Sequence, residues 1–419
     1  MVKDKVVLAY SGGLDTSMMV KWLQMEYKMD VVTVNLDVGQ GKERKGIEEK
    51  AWKLGVVNHY TFDAKEEFAT NYLFPAIKAN ALYMGTYPVS SSLSRPLIAS
   101  KVVEVAEMED AKAVAHGCTG KGNDQVRFDL TFKALNPKLK IIAPVREWKF
   151  NRKSQIQWAK DHDVPVPVTA DSPYSIDENL WGRSIEGGIL EHPDKMVPGD
   201  IWDWTVDVEN APDEPDYVKI GFQKGVPTSL DGIPYKPVEI IQKLKQLGGK
   251  HGIGRIEHME DRVVGLKTRE TYEIPAAEII LNAHHDLEKM VLTRHQKAFK
   301  YQVDQMWATI VYQGLWIDPF KANLDAFIDS TQENVTGSVT MKLFKGSAKP
   351  VSRESPFSLY DYNLASFDIN THYDQGDAVG FINLWGLPSV SAWNLKRTVV
   401  EEGIKEMGKK VVPVPTGDS

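Results

Sequence analysis

Val6-Val7-Leu8-Ala9-Tyr10-Ser11-Gly12-Gly13-Leu14-Asp15-Thr16-Ser17 is the stretch that decides the fold of this chain. An apolar run ends in Ser11-Gly12-Gly13, after which Met19, Val20, Trp22 and Leu23 mark an amphipathic segment. The pattern predicts a buried strand, a turn too tight for side chains, and a helix starting near Asp15. Gly12 and Gly13 carry no Cβ, so an anion can approach the backbone there. The helix start leaves several N–H groups unpaired and carries roughly +0.5 charge. A phosphate or pyrophosphate suits such a cradle. The competing reading is a glycine-rich turn that binds nothing. The coincidence of strand, glycine pair and helix start speaks against it.

The same rhythm continues to about residue 165. Strand patterns fall at 6–10, 31–38, 56–62, 111–115 and 141–144, with helix patterns at 16–27, 46–54, 68–84, 95–108 and 123–135. This alternation predicts an α/β fold with a parallel sheet covered on both faces, its ligands beyond the carboxyl ends of the strands. The proline-rich stretch 164–173 reads as a linker. Beyond it the layout is α+β, with strands at 217–222, 255–265 and 335–344 and helices at 237–247, 276–292 and 295–313. From residue 353 a loop-rich stretch leads to a final helix near 392–407. The expected division is a nucleotide-binding domain at 1–165, a second α+β domain at 170–352, and a C-terminal arm at 353–419. Trp385, Trp393 and Leu395 on that arm fit docking onto a neighbouring subunit. Folding back on the same chain fits equally well.

Composition narrows the function classes. The chain has 419 residues, 42% of them apolar, enough for a substantial core and more than one domain. Its formal charge of −7 lacks the basic surplus that marks nucleic-acid binding, so no nucleic-acid partner is expected. Cys118 is the one cysteine, which rules out an intrachain disulfide. No apolar stretch approaches the length of a membrane span, and no apolar signal region precedes the first strand. The expectation is a cytoplasmic protein with no membrane partner.

The loop is not a Walker A sequence, which needs Gly-Lys-Ser or Gly-Lys-Thr. Ser-Gly-Gly-x-Asp-Ser/Thr-Ser instead resembles the pyrophosphate loop of ATP-pyrophosphatases, which cleave ATP between the α- and β-phosphates to adenylate a carbonyl oxygen. A second strand–glycine–helix junction follows at His116-Gly117-Cys118-Thr119-Gly120-Lys121-Gly122-Asn123-Asp124-Gln125-Val126-Arg127-Phe128. It predicts another helix N-terminus on the same sheet edge, with Asn123 and Asp124 in its first turn. Read alone, the two are also ordinary caps.

Taken with Pro173-Tyr174-Ser175-Ile176-Asp177-Glu178-Asn179-Leu180, Gly187-Gly188-Ile189-Leu190-Glu191, Gly249-Lys250-His251-Gly252-Ile253-Gly254-Arg255 and Arg353-Glu354-Ser355-Pro356, these segments resemble the argininosuccinate synthase family in order and over nearly the whole chain. The resemblance implies an N-terminal domain of the adenine nucleotide alpha-hydrolase type, a synthetase domain, and a C-terminal arm used in tetramer assembly. It implies ligation of citrulline and aspartate with ATP, through a citrullyl-adenylate, to give argininosuccinate, AMP and pyrophosphate in arginine biosynthesis.

By the same resemblance Ala9, Tyr10, Ser11, Gly12, Gly13, Leu14, Asp15, Thr16 and Ser17 hold ATP, with Leu36 and Gly117 beside the nucleotide. Leu36 is bulkier than the small residue of some relatives, so a backbone contact is expected there. Thr119, Asn123 and Asp124 correspond to aspartate contacts, with Asp124 orienting the amine and standing as a candidate general base. Tyr87, Ser92, Asn123, Arg127, Ser175, Ser184, Glu260 and Tyr272 correspond to citrulline contacts. The chemistry agrees: Arg127 suits an α-carboxylate and Glu260 an ammonium. Within the run Ser90-Ser91-Ser92 the identity of the contacting serine is the least secure point. Mg²⁺ is expected with ATP, held mainly by phosphates and water rather than by a protein metal site.

Two features imitate other chemistry, and three other functions share parts of the pattern. His284-His285-Asp286 looks metal-like, but adjacent histidines on a helix diverge. Cys118 reads as a small lining side chain rather than a nucleophile. An RNA-modifying ATP-pyrophosphatase such as a tRNA thiolase generally wants paired cysteines or a basic face. A glutamine-dependent amidotransferase wants a cysteine nucleophile. A nucleotide-binding protein without catalysis does not need the second constellation.

Overall fold

The computed structural model describes residues 3–41, 46–148, 150, 152–165, 174–366 and 374–410. Residues 166–173, most of the stretch read as a linker, lie outside the described residues. Met1–Leu359 and Tyr360–Ser419 form two separate compact units.

Five strands open the first unit: β1 (Lys5–Ala9), β2 (Asp30–Asp37), β3 (Asn58–Asp63), β4 (Ala113–Ala115) and β5 (Lys140–Ile142). They pair in the order β3-β2-β1-β4-β5, parallel throughout. The chain leaves β1 toward one edge and later returns to the other side of it. A crevice lies beyond the carboxyl ends of the strands at such a reversal. Residues 10–13 leave β1 at that place and residues 116–123 leave β4 at the same place, so both predicted loops open on it.

Alternation along β1 separates two cores. Val6 and Leu8 pack with Met18, Met19 and Leu23 of the helix Leu14–Glu26. Val7 faces the other way, into the cluster holding Leu93, Leu97 and Val102 of the helix Ser90–Met108. All of these side chains are fully buried.

Beyond residue 174 come β6 (Ser175–Glu178), β7 (Arg183–Glu186), β8 (Asp216–Gln223), β9 (Val226–Leu230), β10 (Ile233–Pro234), β11 (Arg255–Asp261), β12 (Lys267–Glu273), β13 (Gly337–Phe344) and β14 (Ser347–Glu354). They form two antiparallel sheets, β10-β9-β8-β13-β14 and β11-β12-β7-β6. Helices Pro237–Lys250 and Pro275–Val291 pack on the five-stranded sheet. Helix Arg294–Tyr312 packs instead on Ser90–Met108. The two halves of the unit are pinned by Asn179 and Leu180: Asn179 Nδ2 donates to Ser90 O at 3.0 Å, and Leu180 N to Val38 O at 2.9 Å.

Several elements differ from the pattern reading. The helix expected at 68–84 is helical from Lys65 to Lys78, with a π-helical turn, Ala69–Leu73, between the α-helical segments Lys65–Phe68 and Phe74–Lys78. It stops because Asn80 takes φ 40°, outside helical space. The helix expected from 95 already begins at Ser90, with Pro96 inside it. Serine propensity favours turns, but seating Leu93 and Leu97 on the sheet carries the helix through the serines. The strand expected at 255–265 is a hairpin arm that ends at Asp261, since Gly265 at φ 85° turns the chain into β12. The last strand pattern continues into β14, so Arg353 and Glu354, read as the start of the arm, lie in a sheet.

In the second unit the final helix is Asp377–Lys410, longer than the 392–407 expected. Pro388 sits inside it, where a proline removes one hydrogen bond without ending the helix. Phe381, Ile382, Leu384, Trp385, Leu387, Trp393 and Leu395 are all exposed on it. No helix among the described residues is long and apolar enough to cross a membrane.

Candidate active site

The first loop is fixed by its neighbours before any ligand is considered. Tyr10 N–H donates to Val34 O at 2.8 Å, and Asn35 Nδ2 donates to Tyr10 O at 2.9 Å. The Ser11 and Thr16 hydroxyls lie 3.1 Å apart, and Ser11 Oγ accepts the Gly13 N–H at 3.3 Å. Gly12 has φ 79°, and a Cβ there would sit 2.9 Å from Ile47 Cγ1. Lys50 Nζ donates to Gly12 O at 2.6 Å. Gly13 is the N-cap of the helix Leu14–Glu26, with no side chain capping it. The first N–H groups of that helix thus face the crevice mouth without a side-chain cap, the condition for anion binding.

A cavity of about 620 Å³ joins this loop to the second half of the unit. Ala9, Tyr10, Ser11, Asp15, Thr16, Leu36 and Gly117 line its nucleotide side. Thr119, Asn123, Asp124 and Arg127 line the next stretch, and Tyr87, Ser175, Ser184, Glu260 and Tyr272 the far wall. Gly12, Gly13, Leu14 and Ser17 complete the loop behind that lining. Ser17 is fully buried and its Oγ lies 3.2 Å from Tyr10 OH.

The far wall is one face of a pleated sheet. Ser175 and Asp177 on β6, Ser184 and Glu186 on β7, and Glu270 and Tyr272 on β12 alternate along their strands. The register sets Ser184 opposite both Asp177 and Tyr272. A polar stripe on a buried face is what the apolar-alternation signal cannot detect.

Asp124 lies between two guanidiniums. Arg95 Nε donates to Asp124 Oδ2 at 2.9 Å and Arg127 donates to Asp124 Oδ1 at 2.7 Å. Burial by itself would raise the Asp124 carboxyl, but the two arginines outweigh it and hold the group below its ordinary value. That makes Asp124 a firmly ionised anchor and a weak proton acceptor. Arg95 also reaches Asp177 Oδ2 at 2.7 Å, which takes a further hydrogen bond from Ser91 Oγ at 2.7 Å.

On the far wall Tyr272 OH donates to Glu260 Oε2 at 2.7 Å, and Tyr87 stacks on the Tyr272 ring with centroids 4.3 Å apart. Burial pushes the Tyr272 phenol far up, so it stays a donor. Arg262 donates to Glu186 at 2.6 Å and to Glu270 at 2.8 Å. Burial raises both of these carboxyls above their ordinary values.

The structure thus gathers most of the sequence-predicted residues at one cavity. Ser92 is different: it is fully buried outside the lining, its hydroxyl without a hydrogen-bond partner among the described residues, while Ser91 lines the cavity. Sequence reasoning assigned no role to Arg95, Asp177, Glu186, Arg262, Glu270 or Tyr312, all of them lining residues. Asp177 sat inside a quoted motif, which was the signal available. Tyr312 carried none, as the last residue of an otherwise ordinary helix.

The decoys resolve as structure. His284 is fully buried between Asn80 Oδ1 at 2.7 Å and Gln332 Oε1 at 2.8 Å, and Asp286 pairs with Arg353 at 2.6 Å. Among the described residues no group of three or more His, Cys, Asp or Glu side chains is arranged to hold a metal. Burial pushes the Cys118 thiol far up, which keeps it protonated. The glycine-rich segment around Arg255 serves packing, with Arg255 donating to Thr205 O and Asp207.

Comparison with known proteins gives the family. The argininosuccinate synthase N-terminal HUP domain matches residues 5–165, and the C-terminal domain of the same family matches residues 174–392. The chain belongs to the argininosuccinate synthase family. An argininosuccinate synthase of Anoxybacillus flavithermus is 54% identical over 389 residues, covering 93% of this chain and 96% of the relative. One from Pyrococcus furiosus is 53% identical over 391 residues, covering 93% and 95%. Among solved structures, a U34-tRNA thiolase of Methanococcus maripaludis aligns over 42% of this chain and 62% of its own, with 17% identity and a TM-score of 0.27, which carries no argument. The cavity lies between the β1/β4 crevice and the four-stranded sheet of this argininosuccinate synthase family member.

Proposed function

We infer that the protein is an AMP-forming carbon–nitrogen ligase that joins L-citrulline and L-aspartate, at the expense of ATP, into argininosuccinate, AMP and pyrophosphate, a step of arginine biosynthesis. The observation that carries this reading is the convergence, in one cavity, of the phosphate loop before an uncapped helix N-terminus with Arg127, Glu260, Asn123 and Asp124, side chains suited to the charged groups of two amino acids.

The ureido carbonyl of citrulline is deactivated by two nitrogens, so an amine does not displace its oxygen directly. Attack of that oxygen on the α-phosphorus of ATP forms a citrullyl-adenylate and expels pyrophosphate. The aspartate amine then adds to the activated carbon and AMP leaves, with one proton released. Positioning and charge neutralisation do most of the work in the first step. We assign Ala9 to Ser17 to ATP, with Ser11, Gly12, Gly13, Thr16 and Ser17 around the departing pyrophosphate, and Leu36 and Gly117 beside the nucleotide. Mg²⁺ enters with ATP and screens the phosphates. We assign that cation to the phosphates and water rather than to protein side chains, as suits a hard ion that keeps much of its hydration.

Three N–H groups of Arg127 are used inside the protein, which leaves one on each terminal nitrogen. That pair suits the citrulline α-carboxylate. Glu260 keeps lone pairs on both oxygens for the α-ammonium. Tyr87, Asn123, Ser175, Ser184 and Tyr272 complete the citrulline set, with Ser91, which lines the cavity, in the place read from sequence for Ser92. Thr119, Asn123 and Asp124 take aspartate, with Asp124 orienting the amine rather than accepting its proton. The second unit, from Tyr360 onward, is assigned to assembly of a homotetramer, supported by the exposed Trp385 and Trp393. A cytoplasmic location accompanies the reading, since ATP and free amino acids are supplied there.

The test is release of AMP and pyrophosphate from Mg-ATP with citrulline and aspartate omitted in turn. The reading expects argininosuccinate only when both are present. No turnover from a folded, ATP-binding protein given both would overturn it.

A further inference from the structure

Tyr312 ends the helix Arg294–Tyr312 and lines the cavity. It is held there by Gly314, which takes φ 79° and lets the helix end approach the Arg127 backbone; a Cβ on Gly314 would lie 3.0 Å from Arg127 Cα. Two different parts of Tyr312 then meet two different parts of the site. Its main-chain oxygen accepts Arg127 Nε at 3.1 Å and a terminal nitrogen of the same guanidinium at 2.9 Å. A carbonyl in the last turn of a helix has no partner within that helix, and a cation there is favoured by the dipole. The guanidinium also lies over the Tyr312 ring, 5.1 Å from its centroid.

The hydroxyl makes the second connection. Tyr312 OH donates to Glu260 Oε1, and it accepts from Asn123 Nδ2 at 2.8 Å. The Val263 N–H can only donate, and it donates to Asn123 Oδ1 at 2.9 Å, which fixes the amide with its nitrogen toward Tyr312. The direction of the chain Asn123 → Tyr312 → Glu260 is therefore set, and each bond in such a chain polarises the next. Tyr83 lies on the other side, its ring stacked on Tyr312 with centroids 3.6 Å apart.

We propose that Tyr312 is a positioning residue that couples the citrulline and aspartate subsites, by holding Glu260 and Asn123 in register through one hydroxyl. The inference rests on the two-amino-acid reading above. Tyr272 serves as the contrast, because its hydroxyl also donates to Glu260 but makes no bond to Asn123.

The experiment measures KM for ATP, citrulline and aspartate, with melting temperature, for the wild-type chain, Tyr312→Phe and Tyr272→Phe. Loss of one buried hydrogen bond to a charged group is worth about tenfold or more in affinity. Tyr312→Phe is expected to raise KM for citrulline and for aspartate by about tenfold each, with KM for ATP unchanged. Tyr272→Phe is expected to raise KM for citrulline alone. A Tyr312→Phe enzyme with only the citrulline KM raised, or with no KM changed beside a lowered melting temperature, would overturn the coupling. A Tyr312→Phe chain that does not fold, while Tyr272→Phe does, would also overturn it, because the hydroxyl would then be structural. If the wild-type chain shows no turnover with both amino acids, the functional reading fails rather than this one.

Discussion

Arg95 and Asp124 sit 2.9 Å apart, Nε to Oδ2, and the opposite oxygen of the same carboxylate is taken by Arg127 at 2.7 Å. Asp124 is thereby an anion with its charge already balanced, which suits it to orient a substrate amine. Replacing it by asparagine keeps the shape and removes the charge. Asp124→Asn should lower kcat/KM for aspartate about 10- to 100-fold, the range of a charge-assisted hydrogen bond, while KM for ATP stays within about twofold. Steady-state kinetics in each substrate check this. Full turnover in the variant would remove Asp124 from the site.

The phosphate loop makes a separate demand on the backbone. Alanine at position 12 would be forced into φ 79° with its Cβ 2.9 Å from Ile47 Cγ1. The strain is about 1–2 kcal/mol before any movement of Ile47. Gly12→Ala should therefore raise KM for ATP by roughly tenfold or more and leave both amino-acid KM values close to wild type.

Asp129 gives a pH prediction. Burial by itself would raise its carboxyl, but hydrogen bonds from His116 and Arg146 outweigh that and hold it down at about 2, from an ordinary 3.8. A depressed carboxyl stabilises the fold above its unfolded value and loses that contribution as pH falls through the folded one. Urea midpoints should show Asp129→Asn less stable than wild type at neutral pH, with the gap narrowing as pH drops from about 5 toward about 3. A gap that is constant across that window would contradict the assignment.

Cys118 lines the cavity, yet its thiol is pushed far up by burial and has no covalent step to perform. Cys118→Ala should retain activity within about threefold, and the wild-type thiol should alkylate slowly while folded. A dead Cys118→Ala enzyme that still binds ATP would revive a cysteine-dependent chemistry.

The exposed arm can be tested by charge. Trp385→Asp combined with Trp393→Asp places carboxylates on an apolar helix surface. Light scattering should show a particle smaller than the wild-type assembly. An unchanged mass would take those residues out of the interface.

The parts of this molecule that were legible in sequence are those with a repeating physical signature. Val6 to Leu8, buried on both faces, and the glycine pair after them left an unmistakable strand–turn–helix record. The same holds for the second glycine loop before Asp124. The four-stranded sheet left almost none: β12 reads Lys-Thr-Arg-Glu-Thr-Tyr-Glu, and its inward face is polar because it serves the cavity. Burial of Glu270 and Glu273 contradicts their composition until their arginine partners, Arg262 and Arg183, are placed in space. Tyr312 was invisible for a different reason. Its part depends on a helix end meeting residues far away in sequence, which no local pattern encodes.

The central claim is that the citrulline ureido oxygen attacks the α-phosphorus of ATP. Citrulline labelled with ¹⁸O in the ureido group tests this directly, with mass analysis of the products after turnover with ATP and aspartate. The account predicts that the label appears in the phosphate of AMP. Label absent from AMP would contradict it.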